Sequence, residues 1–420
     1  MNNQRILLSL FAIYFVFAIL LNSVGTVILQ VINTYDVSKS AASVLEGFKD
    51  IPIGIVSFLV ASQLPRFGFK KAMLAGLAIV TTACIAMPLL PGFWTAKLLF
   101  LSVGVAFALV KVAAYSTVGL LARGRKEHAS LLNTLEGVFM VGVLGGYWLF
   151  SVFIDSSNPS STAWLSVYWV LAAICIVAFV LLWTTKMDES GMRVEGTSPR
   201  QEFLAMMKLM AKPLVYVYVV SVFIYVLIEQ GIGSWLPTFN NEVLKLPAAM
   251  SVQAASIFAA GLAIGRLGAG AIMRRLHWYP VLNVCLVAMA LLVVMTLPLS
   301  SNVQANPDVN WFNAPIAAFI LPLIGLFMAP VYPAINSVIL SSLPKHQHAA
   351  MTGLLVIFSA LGGTTGSLIT GTVFEVFDGQ VAFYLSLVPI TVILVSLFFF
   401  RRAVERELPG DAEVPANLAS

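Results

Sequence analysis

Charge is what this sequence has least of. Only 10% of its 420 residues are Asp, Glu, Lys or Arg, against 59% hydrophobic, and the mean hydropathy is +0.93. That balance excludes a soluble globular domain, because apolar stretches of about 20 residues recur along the whole length and each reads as a membrane-spanning helix. Cysteine is scarce as well. Cys84, Cys175 and Cys285 all fall inside apolar stretches, and an odd set of membrane-buried thiols argues against disulfides or a metal site. The histidines show no metal-ligand spacing, and His128 and His348 lie in polar turns. There is no G-x-x-x-x-G-K-[ST] run to cradle a nucleotide and no G-x-S-x-G nucleophile motif, so neither ATP-driven chemistry nor an enzyme is expected. Between MNNQR and Ile6 no small-residue cleavage site intervenes, and the first apolar stretch is expected to be retained rather than removed as a signal peptide.

What is present is a succession of twelve apolar segments. They span residues 6–31, 41–64, 72–91, 98–121, 130–153 and 163–185, then 214–237, 251–273, 279–299, 313–341, 349–373 and 381–400. Sorting the 24 Lys and Arg by the loops between these segments puts 18 on one side, three (Lys39, Lys97 and Lys245) on the other, and three (Lys49, Lys111 and Arg266) inside helices. So strong a bias places the basic side, with both termini, in the cytoplasm of a multi-pass plasma-membrane protein, a bacterial inner-membrane protein by expectation. The longest polar run, KMDESGMRVEGTSPRQEF from Lys186, reads as a linker over 186–213 between a bundle at 1–185 and a bundle at 214–402. Residues 403–420 read as a disordered cytoplasmic tail. The expected fold is all-α, with twelve transmembrane helices in two six-helix bundles.

A charge deep inside such a helix costs roughly 2.5 kcal/mol or more unless it is paired or hydrated, which makes every one a candidate functional residue. Lys111 lies in the fourth segment and Glu136 in the fifth, at depths that differ by ~5 Å at about 1.5 Å per residue. They are expected to form a buried ion pair beside a water-filled path, Glu136 as proton acceptor and Lys111 tuning it or binding an anionic group. In the second segment Glu46, Lys49 and Asp50 share one helix face, read either as a self-neutralised cluster or as a proton-titrating site. In the seventh, Glu229 and Gln230 precede Gly231, Gly233 and Pro237, where a loosened helix can expose backbone to a cavity. Glu136, Glu46, Asp50 and Glu229 are therefore the candidate proton-coupling carboxylates. Amides and rings suit a hydroxyl-rich solute, so Asn22, Gln30, Tyr115, Gln230, Trp235 and Asn336 join Lys111 as candidate substrate contacts. Trp94, Trp164, Trp235, Trp278 and Trp311 sit near segment ends and read as interfacial anchors.

The halves repeat. Residues 125–146 align with 345–366 without a gap, His128 on His348, Gly142 on Gly362 and Gly146 on Gly366, and Arg66 matches Arg275. Two parallel six-helix repeats imply a substrate site at the midplane between them. The glycine pairs read as small-xxx-small packing faces. This layout resembles the major facilitator superfamily over essentially the whole chain. The superfamily's loop between helices 2 and 3 usually reads G-x-L-x-D-R-x-G-R-[RK]; Ala61–Lys71 here reads ASQLPRFGFKK, keeping Arg66, Gly68 and Lys70 but with Pro65 and Phe69 for the usual Asp and Arg. That form, followed by AMLAGL, is similar to the fucose permease and related sugar-transporter branch, as are Phe223–Asn240, Ala259–Gly270 and Gly325–Ser337. The resemblance implies a gating role for Arg66, Lys70 and Arg266. It also implies acids in helices 1 and 4, where this chain has none between Ile6 and Val31 and carries Lys111 instead.

Four intramembrane carboxylates against three cations point to a proton-coupled importer of a small polar solute, a sugar or sugar derivative, working by alternating access. No cofactor is expected; a proton gradient, or sodium in its place, supplies the energy. The partners expected are the solute and the lipid bilayer, with no nucleic acid, and the chain is expected to act as a monomer. The other readings are an organic-anion or monocarboxylate carrier using Lys111, and a drug-type proton antiporter, whose G-P-x-x-G-G signature lacks its proline at Gly142–Gly146.

Overall fold

Backbone groups in lipid have no water to bond to, so an apolar chain crosses only as helices or closed barrels. The computed structural model takes the helical solution. It describes residues 3–61, 64–122, 124–187, 199–273, 275–301, 303–306, 308–344 and 347–407. Residues 188–198 of the expected linker and 408–420 of the expected tail fall outside these, as does the side chain of Arg66.

The helices are, in order, α1 (Asn3–Asn22), α2 (Val24–Tyr35), α3 (Lys39–Ala42), α4 (Val44–Ala61), α5 (Leu64–Phe67), α6 (Phe69–Leu89), α7 (Phe93–Leu121), α8 (Arg125–Phe153) and α9 (Val167–Thr184). There follow α10 (Pro199–Met210), α11 (Pro213–Gly233), α12 (Leu236–Glu242), α13 (Ala248–Ile272), α14 (Trp278–Leu299), α15 (Ala317–Ile320), α16 (Ile324–Met328), α17 (Val331–Ser341), α18 (His348–Val376), α19 (Gly379–Tyr384) and α20 (Leu387–Glu407). Among the described residues eleven helical stretches are long and apolar enough to cross a membrane. The twelfth, α4, is 18 residues long and holds Glu46, Lys49 and Asp50, more charge than a plain spanning helix carries.

The chain packs as two compact units, Met1–Ser38 with Leu45–Pro199 and Lys39–Val44 with Arg200–Ser420. In the first unit α8 lies on α1, and in the second α18 lies on α11. The repeated glycines make both contacts. A Cβ on Gly142 would come within 2.7 Å of the Phe15 carbonyl, and one on Gly146 would press on Ile19; Gly362 and Gly366 meet the carbonyls of Phe223 and Leu227 in the same way. Removing the side chain is what lets the backbones approach. A second repeated contact sets α7 on α4, where Gly104 meets the Lys49 carbonyl, and α16 on α13, where Gly325 meets the Phe258 carbonyl.

Several crossings are not single rods, the first and the tenth among them. The first breaks at Ser23, and side chains take up the loosened carbonyls: Asn22 Nδ2 donates to Ala18 O, Ser23 Oγ to Leu20 O and Lys49 Nζ to Leu21 O. The tenth, expected as one helix over 313–341, is divided into α15, a 3-10 turn, α16 and α17, because Pro322 and Pro330 each withdraw a backbone donor. The short segment Lys39–Val44 packs with the second unit. Lys39 pairs with Glu242 at 3.0 Å, the Ser40 amide donates to Glu375, and the Ser43 carbonyl accepts from Ser367, which itself accepts from the Trp235 indole.

Candidate functional site

In the first unit the functional side chains stand on α4, α7 and α8. Glu46, Lys49 and Asp50 are buried, at 0%, 6% and 8% exposure. Lys49 bonds Glu46 directly and lies 3.4 Å from Asp50. Spacings of three and four put the three groups on one face of α4, and the close approach of Gly104 seals that helix against α7. The cluster holds two carboxylates and one ammonium. Fully ionised it carries one negative charge, and burial in low dielectric favours taking up one more positive charge, a proton or a cation. Tyr147 of α8 lies within electrostatic reach of Lys49 and Glu46.

Lys111 and Glu136 depart from expectation. Both are exposed rather than buried, and they do not close an ion pair. Glu136 instead accepts a hydrogen bond from the Tyr115 hydroxyl, while the Lys111 ammonium lies 5.7 Å from the centre of the Phe107 ring. The physical reason is the packing order: α7 lies chiefly on α6 and α8 chiefly on α1, so the two helices that carry the charges touch only lightly. Their depths are similar, both about 5 Å from their helix midpoints toward the turn between α7 and α8 at about 1.5 Å per residue. The exposure of Glu136 is not to the apolar outer face of its helix. On α8 that face is Val141, Trp148 and Val152. Glu136, five residues before Val141, is turned from it by about 140° at 3.6 residues per turn. Beside the pair, Tyr14 of α1 stacks 6.3 Å from Tyr115 and sits edge-on to Phe139. The Tyr14 hydroxyl is buried without a hydrogen-bond partner.

The second unit gathers its polar groups on α11, α13 and α17. Glu229 is 4.0 Å from Arg266, which the structure therefore places with the seventh-helix carboxylate. Tyr225 and Tyr332 pack at 5.5 Å, Tyr218 donates to Asn336, and Tyr332 shares a hydrogen bond with Ser359. Gln230 accepts from Ser234. Tyr14, Tyr218 and Tyr225 were not singled out from the sequence. Tyr218, Tyr225 and Glu229 recur at spacings of seven and four, one face of a helix, and that signal was available.

The repeat relates these faces. In the register fixed by Gly104 and Gly325, Tyr332 stands where Lys111 does and Asn336 where Tyr115 does; in that fixed by Phe15 and Phe223, Gln230 stands where Asn22 does. The α4 cluster has no counterpart, since Ala255, Phe258 and Ala259 occupy the positions of Glu46, Lys49 and Asp50.

Other expected site residues have different surroundings. Trp235 is fully buried, its indole bound to Ser367 and its ring against Phe374, so it is a packing residue and not an accessible substrate contact or an interfacial anchor. Trp164 and Trp278 are buried too, whereas Trp94 is exposed as an anchor should be. Gln30 is buried, with its amide nitrogen unbonded, and Asn22 is exposed while donating to its own helix. Lys70 donates to the carbonyls of Trp183 and Thr185, capping the end of α9.

Comparison with known proteins agrees with this architecture. The chain is 24% identical over 329 residues to "Bypass of stop codon protein 6" of Saccharomyces cerevisiae, a match covering 73% of this chain and 64% of that protein, so it spans less than two thirds of that relative's length. Among solved structures it is similar to a variant of the nucleoside transporter NupG, with a TM-score of 0.73 at 13% identity over 94% of this chain and 99% of that one. It is also similar to the E. coli fucose:proton symporter FucP, with a TM-score of 0.58 at 18% identity over 94% and 98%. At these identities the structural likenesses show the fold alone. The family match runs over residues 7–364 and 309–419, and with it the broken helices, paired glycines and repeated halves find their place: the chain belongs to the Major Facilitator Superfamily, a multi-pass membrane transporter family.

Proposed function

We propose that the chain is a secondary active transporter that imports a small polar solute of the sugar type together with a proton, by alternating access, as a monomer in a bacterial inner membrane with both termini cytoplasmic. The observation that carries this reading is the Glu46–Lys49–Asp50 cluster. Equivalent positions in the second unit are Ala255, Phe258 and Ala259, so packing alone does not call for these charges. A buried set of two acids and one base keeps its neutrality by holding a proton, and Lys49 is at the same time bonded to the Leu21 carbonyl at the break in the first helix. Gain or loss of that proton thereby bears on a place where the helix is already interrupted. Arg266 with Glu229, and the Tyr218–Asn336 and Tyr225–Tyr332 contacts, supply hydrogen-bonding groups and ring faces for a hydroxylated solute. The structural relatives move solutes of this kind: one is a nucleoside transporter and another a fucose:proton symporter.

The test is transport by purified protein in liposomes that enclose a pH dye. Solutes offered outside, drawn from hexoses, sugar acids and nucleosides, are expected to enter with acidification of the lumen, and an inward proton gradient is expected to concentrate them. Entry with no change of luminal pH would contradict proton coupling.

A further inference from the structure

We infer that the solute is a polyhydroxylated monocarboxylate, a sugar acid, whose carboxylate binds Lys111. This rests on the proton-coupled reading above and narrows it. Among the described residues Lys111 closes no ion pair and donates no hydrogen bond; its ammonium lies 5.7 Å from the centre of the Phe107 ring and within the field of Glu136. An ammonium at this depth is costly without a counter-charge, and Lys111, exposed on α7, is turned by roughly 80–140° from the exposed apolar stripe of Trp94, Leu98 and Leu101.

The groups around it fit the remainder of such a molecule. Glu136 is held by Tyr115 through one oxygen, which leaves the other to accept from a hydroxyl. The Tyr14 hydroxyl, buried and unbonded, has both a donor and an acceptor to offer. The rings of Tyr14, Tyr115, Phe107 and Phe139 lie within 6.3 Å of one another in successive pairs and give an apolar wall for C–H faces. A neutral sugar would leave Lys111 uncompensated. A dicarboxylate would bring a second negative charge against Glu136, and a phosphate ester would call for more cations than this unit provides.

The charge balance gives a second, independent consequence. One carboxylate anion and one proton cross together with no net charge, so uptake is driven by the pH gradient and indifferent to membrane potential.

Both consequences are measured in proteoliposomes with radiolabelled aldonates and hexuronates, hexoses, hydroxyl-free short monocarboxylates and dicarboxylates. An aldonate or hexuronate is expected to accumulate under a pH gradient, at a rate unchanged by a potassium diffusion potential. Lys111→Gln is expected to raise the half-saturating concentration about tenfold or more, the loss of one charge-assisted hydrogen bond. Lys111→Arg, which keeps the charge, is expected to restore it and serves as the folding control. Accumulation of neutral hexoses, equal in the native protein and in Lys111→Gln, would overturn the sugar-acid assignment and leave proton-coupled transport standing. Potential-driven uptake of the sugar acid would overturn the electroneutral balance. Failure of every solute to accumulate under a proton gradient would overturn both the assignment and the reading beneath it.

Discussion

Two carboxylates flank Lys49 in a place with almost no access to water, and the arithmetic of charge makes each of the three residues testable on its own. Neutralising one acid, as Glu46→Gln or Asp50→Asn, leaves one acid and one base, a set already neutral. Such a variant should fold as well as the native protein. The double variant strips Lys49 of both partners, and breaking a buried pair in this way costs about 3–5 kcal/mol. Thermal unfolding in detergent is expected to show little change for either single variant and a large drop for the double. Equal stability in all three would mean that Lys49 is not held by charge. That the three residues share a face was legible from their spacing. Their burial was not, because it depends on Gly104 bringing a distant helix against the Lys49 backbone, and no local pattern announces that approach. The same limit applies to Lys111 and Glu136. Their depth followed from counting residues, but whether they paired depended on how α7 and α8 lie, and Tyr115 reaches Glu136 instead.

Elements packed through glycine make a sharper comparison. Gly145 and Gly146 are neighbours on α8, yet a Cβ on Gly145 would meet nothing within 4 Å, whereas one on Gly146 would come within 3.2 Å of Ile19. Gly146→Leu should cost about 1–3 kcal/mol through overpacking, and Gly145→Leu almost nothing. Comparing the melting temperatures of the two variants decides it; similar losses would show that α8 does not lie on α1 as described. Gly366, which meets the Leu227 carbonyl, should be as intolerant as Gly146. A second comparison concerns tryptophan. Trp235→Ala removes a fully buried ring and the partner of Ser367, and should cost about 3–5 kcal/mol. Trp94, 71% exposed, should tolerate the same change. The sequence offered one rule for both, proximity to a segment end. It failed for Trp235 because α11 ends just before it and its ring is buried against Phe374 instead of meeting the headgroups. Helix number and class were legible because length, hydropathy and the side on which Lys and Arg collect all agree. The divided tenth crossing was foreshadowed by its prolines, though not the positions of its breaks.

For the whole molecule, the informative feature is where two related halves differ. Their repeated glycines hold the same helix pairs in the same register, so unlike side chains at matched positions mark what each half does separately. An amide recurs at one matched pair, Asn22 with Gln230, whereas Asn336 stands at the position of Tyr115 and Tyr332 at that of Lys111. The buried acids of α4 do not recur, which is why the proton is assigned to them and not to Glu229 or Glu136. The repeat in residues 125–146 and 345–366 was visible in the sequence, and the match of Arg66 with Arg275 already carried the register in which the glycine contacts set Lys49 of α4 against Phe258 of α13. The most direct measurement is accumulation against exchange for Asp50→Asn in liposomes. The account predicts that this variant still exchanges internal for external solute at the native rate but no longer concentrates it under an inward proton gradient. Concentration at the native level in both Asp50→Asn and Glu46→Gln would contradict it.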